Sequence, residues 1–181
     1  AYCNFNGGTF LMTGRNGNSI FGQPNGANWN RDIDRVTVYE KGAAIDVPSA
    51  NYTMRADVPL SAPTGNGVAS VIWSDTGVKY VGSPIVEIIG DGTGASAFAE
   101  FDSVNRKVTG IKVTSPGCDY TWAKAVIRYA NEAPITNSLV NLATFTSGSF
   151  TKKGPGTLEM NVANSYGGDT IIEEGKLRLN V

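Results

Sequence analysis

Carboxylates are the side chains in this chain best able to do acid–base chemistry. The sequence contains no histidine, which removes the usual near-neutral proton shuttle, serine–histidine catalysis and histidine metal sites. Asp32 and Asp34 are two residues apart, so in a strand both side chains face the same side, as the two carboxylates of a glycosidase require. Arg31 and Arg35 flank them, and a solvated ladder of charges is the commoner structure for such a run. We therefore expect no enzyme, and keep a carbohydrate-active enzyme using Asp32 and Asp34 as the alternative.

Aromatic side chains offer a second kind of chemistry, the binding of sugars. Trp29 lies in a stretch rich in Asn and Gly, next to Asn28 and close to the two aspartates. An exposed indole beside amide and carboxylate groups can stack on a sugar ring while its neighbours hydrogen-bond the hydroxyls. The sequence thus predicts a site for a glycan or host-surface ligand at Trp29, Asn28, Asp32 and Asp34.

No metal or cofactor site is predicted. Cys3 and Cys118 are two cysteines, too few for a four-cysteine zinc site. The sequence leaves open whether they form a disulfide, because Cys118 also suits a small buried apolar position. Asp91 lies in the glycine-rich run 90–94 and could contribute to a calcium site, but a single carboxylate is a weak cation ligand. No helix follows that run, so it does not predict a phosphate cradle.

The composition predicts β structure throughout. Val (16), Thr (16) and Ile (12) far outnumber Leu (7), and there are 22 Gly, 16 Asn and 8 Pro. Branched side chains favour strands, the other three favour turns, and no stretch sustains a helical period. The net charge is −1 with interleaved signs, which argues against nucleic acid as a partner. The apolar runs are too short to predict membrane insertion.

Two short segments near the carboxyl end repeat each other with an offset of 19 residues, GTLEMNV at 156–162 and GKLRLNV at 175–181. Alternation places Leu158 and Met160 on one face, and Leu177 and Leu179 on the same face one layer further on. A unit of about 20 residues has the size of one coil of a β-solenoid. The repeat therefore predicts two stacked parallel layers.

Residues 148–181 resemble the autotransporter-associated β-strand repeat, a family found in the passenger regions of bacterial surface proteins. The runs that carry the resemblance are GSFTKKGPGTLEM at 148–160, NSYGGDTII at 164–172 and EGKLRL at 174–179. The resemblance implies an all-β fold, a right-handed parallel β-helix (solenoid) outside the cell, used as a stalk or adhesin. Asp169 departs from the pattern, where a smaller or neutral residue is expected.

The middle of the chain contains a different duplication, with five positions that recur 40 residues later. Val68, Val71, Gly77, Tyr80 and Val86 recur as Val108, Ile111, Gly117, Tyr120 and Val126. The pattern resembles the glycine- and tyrosine-containing β repeats of phage and bacterial surface proteins. It predicts a compact β insertion at 55–131, between solenoid coils at 1–54 and at 132–181. Trp73 and Trp122 are expected to anchor the core of the insertion.

Together these patterns predict a structural or adhesive segment of a secreted or cell-surface bacterial protein. A glycan-binding module or a carbohydrate-active enzyme on the same β-helix scaffold is the alternative. The chain begins with Ala1 rather than Met, so we expect a processed or excised piece of a longer protein. An open coil end would expose strand edges. We therefore expect either that the natural chain continues beyond Val181 or that this end stacks on another chain.

Overall fold

The computed structural model describes residues 2–13, 16–17, 19–21, 33–129, 133–136 and 138–181. Within these ranges the chain forms strands and no helix, which confirms the all-β prediction for this part of the molecule. It also follows that the described residues include no helix with the length and hydropathy needed to cross a membrane. The strands are β1 (Tyr2–Phe5), β2 (Thr9–Leu11), β3 (Arg35–Val38), β4 (Ala43–Asp46), β5 (Thr53–Ala56), β6 (Leu60–Ser61), β7 (Asn66–Trp73), β8 (Ile85–Gly90), β9 (Thr93–Asp102), β10 (Lys107–Cys118), β11 (Ala123–Arg128), β12 (Ser138–Thr144), β13 (Phe150–Lys153), β14 (Thr157–Met160), β15 (Thr170–Ile172) and β16 (Lys176–Leu179).

The strands belong to two compact units. Unit 1 comprises Ala1–Pro63 and Thr146–Val181, and unit 2 comprises Thr64–Phe145. Unit 2 begins and ends later than the predicted insertion at 55–131. Strand β5 pairs with β14 of unit 1, and β12 pairs with β7 of unit 2. These strand pairings, rather than the extent of the sequence repeat, set the ends of the two units.

Unit 1 is built from three sheets, and in each of them all the strands run parallel. Their strand orders are β1-β3-β6, β15-β13-β4-β2 and β16-β14-β5. The chain visits these sheets in one order, first through β3, β4 and β5 and then through β6, β13 and β14. The connection from β3 to β4 is a tight turn that ends at Gly42, whose φ is 75°. A Cβ atom at Gly42 would overlap the carbonyl of Ser149 on the neighbouring strand, so the turn requires glycine.

The core of unit 1 consists of side chains that stack in register between the sheets. Met54 is level with Leu158, and Leu158 is level with Leu177 on the next strand. Met54 and Leu158 are fully buried, and Leu177 packs against the same cluster. The two segments of the 19-residue repeat pair as parallel strands from Thr157 with Lys176 onward. The predicted parallel stacking of these two segments is therefore confirmed.

Unit 2 contains antiparallel sheets, one of four strands in the order β12-β7-β10-β9 and one of two strands, β11-β8. Apolar side chains from both sheets form one core, which includes Val68 and Ile111 from the larger sheet and Ala125 and Ile127 from the smaller. The sheets of the described residues are therefore mixed, parallel in unit 1 and antiparallel in unit 2, and the β-helix expected for the coils stays a prediction.

The two halves of the 40-residue duplication meet each other in unit 2. Val71 pairs directly with its counterpart Ile111. The N–H of Tyr80 donates to the carbonyl of Arg106, at 2.8 Å, and the N–H of Tyr120 donates to the carbonyl of Asn66, at 2.9 Å. Since each of these partners is also 40 residues from its equivalent, the halves are related by an approximate twofold axis at Val71 and Ile111.

Candidate functional site

The predicted ligand site lies largely in a part of the chain for which the structure gives no geometry. Trp29, Asn28 and Asp32 lie outside the described residues. Asp34 is exposed and comes directly before β3. The site at these four residues, and the acid pair of the alternative enzyme, therefore stay predictions.

Two further carboxylates, those of Asp102 and Glu173, serve as a turn cap and as a member of an ion pair. Asp102 accepts hydrogen bonds from the backbone of Val104 (2.9 Å) and from the backbone and side chain of Asn105. These bonds, above all the one from the Asn105 side chain, lower the pKa of Asp102. Glu173 lies 3.5 Å from the ammonium of Lys153. Such contacts hold turns and strand edges together and leave neither carboxylate paired with a second one.

The groups that could hold a metal ion or form a disulfide are not brought together. Among the described residues, no cluster of three or more His, Cys, Asp or Glu side chains could coordinate an ion. Cys3 belongs to unit 1 and Cys118 to unit 2, and they are not joined in a disulfide. Burial raises the pKa of the Cys3 thiol, so that thiol is a poor nucleophile at neutral pH.

A cavity of about 260 Å³ lies in unit 2 beside the buried ring of Tyr80. Its described walls are mostly apolar and include Ile127 and Tyr129. The one charged side chain in that wall is Lys79, and its ammonium already donates to the carbonyl of Asn105, at 3.0 Å. The described walls of the cavity therefore offer no pair of acid and base groups.

A built polar arrangement is found at the turn between β8 and β9, where Asp91 holds a neighbouring segment in place. One oxygen of Asp91 accepts the N–H groups of Thr121 (2.9 Å) and Trp122 (3.1 Å). The other oxygen accepts the hydroxyl of Thr121. These hydrogen bonds, led by the one from the Thr121 side chain, lower the pKa of Asp91 to about 2. The carboxylate therefore stays ionised and clamps the 121–122 backbone at neutral pH.

Two glycines let the same turn pack against an aromatic ring. A Cβ atom at Gly90 or at Gly92 would overlap the ring of Tyr120, so only glycine allows the backbone this close. Tyr120 is buried, and its hydroxyl accepts the N–H of Ala95 at 3.4 Å. The ring and the Asp91 hydrogen bonds together fix this corner of unit 2.

The two tryptophans expected in the core differ in their surroundings. Trp73 packs against both core clusters of unit 2, and its indole N–H donates to the carbonyl of Val108, at 3.1 Å. Trp122 is 50% exposed. The expectation is confirmed for Trp73 and wrong for Trp122, because the Asp91 clamp holds residue 122 in a surface turn.

The corner at residues 121–124 thus exposes one flat apolar ring, that of Trp122, and the polar side chains of Thr121 and Lys124 next to it in the sequence are exposed as well.

Lys152 is a fully buried cation in unit 1 that the sequence analysis did not single out. Its ammonium donates to the carbonyls of Lys153 (2.6 Å), Gly154 (2.7 Å) and Glu174 (3.1 Å). Burial lowers the pKa of Lys152, and the charges of Asp46 and Glu174 oppose that shift. The signal in the sequence was its position two residues after the inward Phe150, which places both side chains on the buried face.

Comparison with known families bears on the carboxyl-terminal strands of unit 1. A family model described as Passenger-associated-transport-repeat matches residues 150–179, the segment that forms β13 to β16. No match was found among curated proteins or among solved structures. Residues 150–179 are therefore similar to an autotransporter passenger repeat, which indicates a structural region of a secreted or cell-surface protein rather than an enzyme.

Proposed function

We propose that this chain is an adhesive, load-bearing segment of a bacterial autotransporter passenger. In this proposal, unit 1 forms coils of a parallel β-helix that serve as a stalk outside the cell. Unit 2 is a module that the stalk displays, and its surface provides binding. The carbohydrate-active enzyme of the sequence analysis stays an alternative for the region around Asp32 and Asp34.

The parallel register of unit 1 is the observation that carries the β-helix proposal. In a β-helix each turn of chain adds one strand to each of several parallel sheets, and like positions stack above one another. Strands β3, β4 and β5 each have a parallel neighbour from the next passage of the chain, namely β6, β13 and β14. The repeat match at 150–179 supports the same architecture from the sequence side.

Outward positions of these layers also stack, as expected for coils that hold one register. Asn161 donates from its side-chain amide to Asp57 (2.7 Å) in the preceding layer and accepts from Asn180 (2.9 Å) in the following one. Glu159 accepts from Arg178, at 2.8 Å and again 19 residues away. Ladders of this kind tie layer to layer by side chains in addition to the backbone, which suits a stalk.

The display role of unit 2 is supported by how its two ends are arranged. Asn66, near its start, pairs with Thr144, near its end, so the chain enters and leaves the module at one point. Along the chain, unit 2 connects β6 to β13. The equivalent connection in the preceding passage, from β3 to β4, consists only of residues 39–42. A module with adjacent ends can replace such a short turn without altering the strands on either side.

Surface labelling of intact bacteria tests the proposal. The natural full-length protein, with Cys3→Ser and Cys118→Ala, would carry Val104→Cys at a side chain that is 87% exposed. A maleimide that cannot cross membranes should label this cysteine equally in intact and in lysed cells. The background without Val104→Cys should stay unlabelled and serves as the matched control. Labelling of Val104→Cys only after lysis would rule out display at the cell surface.

A further inference from the structure

The duplication within unit 2 provides a comparison for Trp122. Tyr80 and Tyr120 are equivalent positions of the two halves, and both are buried. The counterpart of Trp122, 40 residues earlier, is Gly82, which has no side chain beyond a hydrogen. A half-exposed Trp leaves a large apolar surface in water. An aromatic ring that is exposed and has no equivalent in the other half points to a role outside the scaffold.

The backbone that carries this indole is held rigidly. Asp91 accepts the N–H of Trp122 and both donors of Thr121. A Cβ atom at Gly90 would overlap the carbonyl oxygen of Trp122, so the two segments are in close contact. A ligand that meets a preordered backbone segment loses less of its binding free energy to ordering that segment.

The exposed neighbours of Trp122 along the chain are polar, which favours a sugar over a protein as the partner. In the described segments 91–93 and 119–124, Trp122 is the one large apolar side chain that is exposed. Its exposed neighbours in these segments include Thr121 and Lys124. Stable protein interfaces are centred on a contiguous apolar patch of several side chains. A pyranose ring has one apolar face to stack on an indole and hydroxyls around its edge for hydroxyl, ammonium and carboxylate partners.

We propose that Trp122, on the backbone segment that Asp91 holds through Thr121 and Trp122, is a stacking platform for a saccharide ring of a surface glycan. The platform would supply the adhesive contact of the proposed function, and its role at the cell surface rests on that proposed function. Trp122 contacts the apolar face of the sugar. Asp91 is a positioning residue, because its two oxygens hold the segment that carries the ring. Lys124, on the strand that follows, lies near enough in sequence to meet the polar edge of the ligand.

Glycan binding by the purified full chain tests the platform independently of where the protein is located. The chain would be applied to an array of neutral and acidic oligosaccharides of animal and microbial origin, and the strongest ligand measured by calorimetry. Trp122→Ala should weaken binding by at least about tenfold, while Trp122→Phe, which keeps a ring, should lose less. Ile85→Ala removes another exposed apolar side chain of unit 2, 71% exposed, and should leave the affinity unchanged.

Each of the other outcomes would overturn the platform. These are no binding to any array glycan, glycan binding that survives Trp122→Ala, and a Trp122-dependent interaction with a protein but with no glycan. The thermal midpoint of each variant shows whether it has folded, and Trp122→Phe serves if Trp122→Ala does not fold. Failure of the surface labelling would instead rule out the display proposal. It would not affect a glycan affinity measured in solution.

Discussion

At the scale of single residues, Lys152 joins two layers of unit 1 through its ammonium. Two of its three acceptors, the carbonyls of Lys153 and Gly154, lie at the end of β13 and directly after it, and the third, that of Glu174, follows β15. Removing the donor of a carbonyl that an apolar side chain would then cover costs free energy. The lysine therefore satisfies polar groups at the turn that an apolar side chain would leave unpaired.

We expect Lys152→Met to lower the free energy of unfolding by about 2 kcal/mol, because three carbonyls lose the donor that the buried ammonium supplies while the methionine keeps most of the packing. Lys153→Met removes the neighbouring cation, which is partly exposed beside Glu173, and should cost less than about 1 kcal/mol. Urea unfolding followed by circular dichroism measures both. Equal losses for the two variants would contradict the role assigned to Lys152.

Asp91 gives a pH-dependent prediction for unit 2. Its pKa is lowered from 3.8 to about 2 in the folded chain, so the folded state binds the proton less readily than the unfolded state. Its stabilisation is then fully present above pH 3.8 and is lost as the pH falls towards 2. Asp91→Asn should be less stable than the natural chain at pH 7, and the difference should shrink between pH 4 and pH 2. Thermal unfolding at several pH values measures it, and a difference that does not change with pH would contradict the clamp.

The sequence predicts the burial of repeated residues better than the burial of residues that do not recur. Tyr80 and Tyr120 recur at equivalent positions of the duplication, and both are buried, as expected for positions that a repeated framework needs. Nothing in the local sequence separates Trp73 from Trp122, since burial of either depends on hydrogen bonds from residues more than 30 positions away, such as Asp91. The proposed saccharide platform could not be found without that long-range contact.

At the scale of elements, alternation and glycine turns predicted several strands of unit 1. The sequence alternates apolar with polar residues at 36–38 and at 45–47, on either side of Gly42, and these runs fall on β3 and the end of β4. The parallel pairing of β14 with β16 followed from the spacing of 19 residues, which is too long for a hairpin turn and suits one coil. Strand β12 was not predicted as part of the insertion, because β12 lies outside the repeated positions and its partner β7 is distant in sequence.

The two copies of the 19-residue repeat provide a matched pair of substitutions. Met160 and Leu179 occupy equivalent positions in adjacent layers, but Met160 is fully buried and Leu179 is 62% exposed. Met160→Ala should therefore cost about 2–5 kcal/mol through the cavity that it leaves, and Leu179→Ala less than about 1 kcal/mol. Chemical denaturation compares the two, and similar costs would contradict the stacking of a buried layer beneath β16.

At the scale of the whole molecule, unit 2 has its own core and adjacent ends. We expect residues 64–145 to fold alone into the same antiparallel sheets. We also expect unit 1 to keep its parallel sheets when this segment is replaced by the short turn sequence of residues 39–42. Amide exchange measured by NMR on each fragment and on the full chain tests both. Loss of protection in either fragment would show that the units depend on each other.

Cross-linking between the two copies of the 19-residue repeat tests the central claim, that unit 1 is made of stacked parallel layers. In a background with Cys3→Ser and Cys118→Ala, Thr157→Cys with Lys176→Cys places the thiols at directly paired positions. This pair should form an intrachain disulfide under mild oxidation. Thr157→Cys with Asn180→Cys should not, because parallel strands hold these positions about 13 Å apart along the chain direction. Efficient cross-linking of 157 with 180 and none of 157 with 176 would mean an antiparallel hairpin, and would contradict the stacked layers.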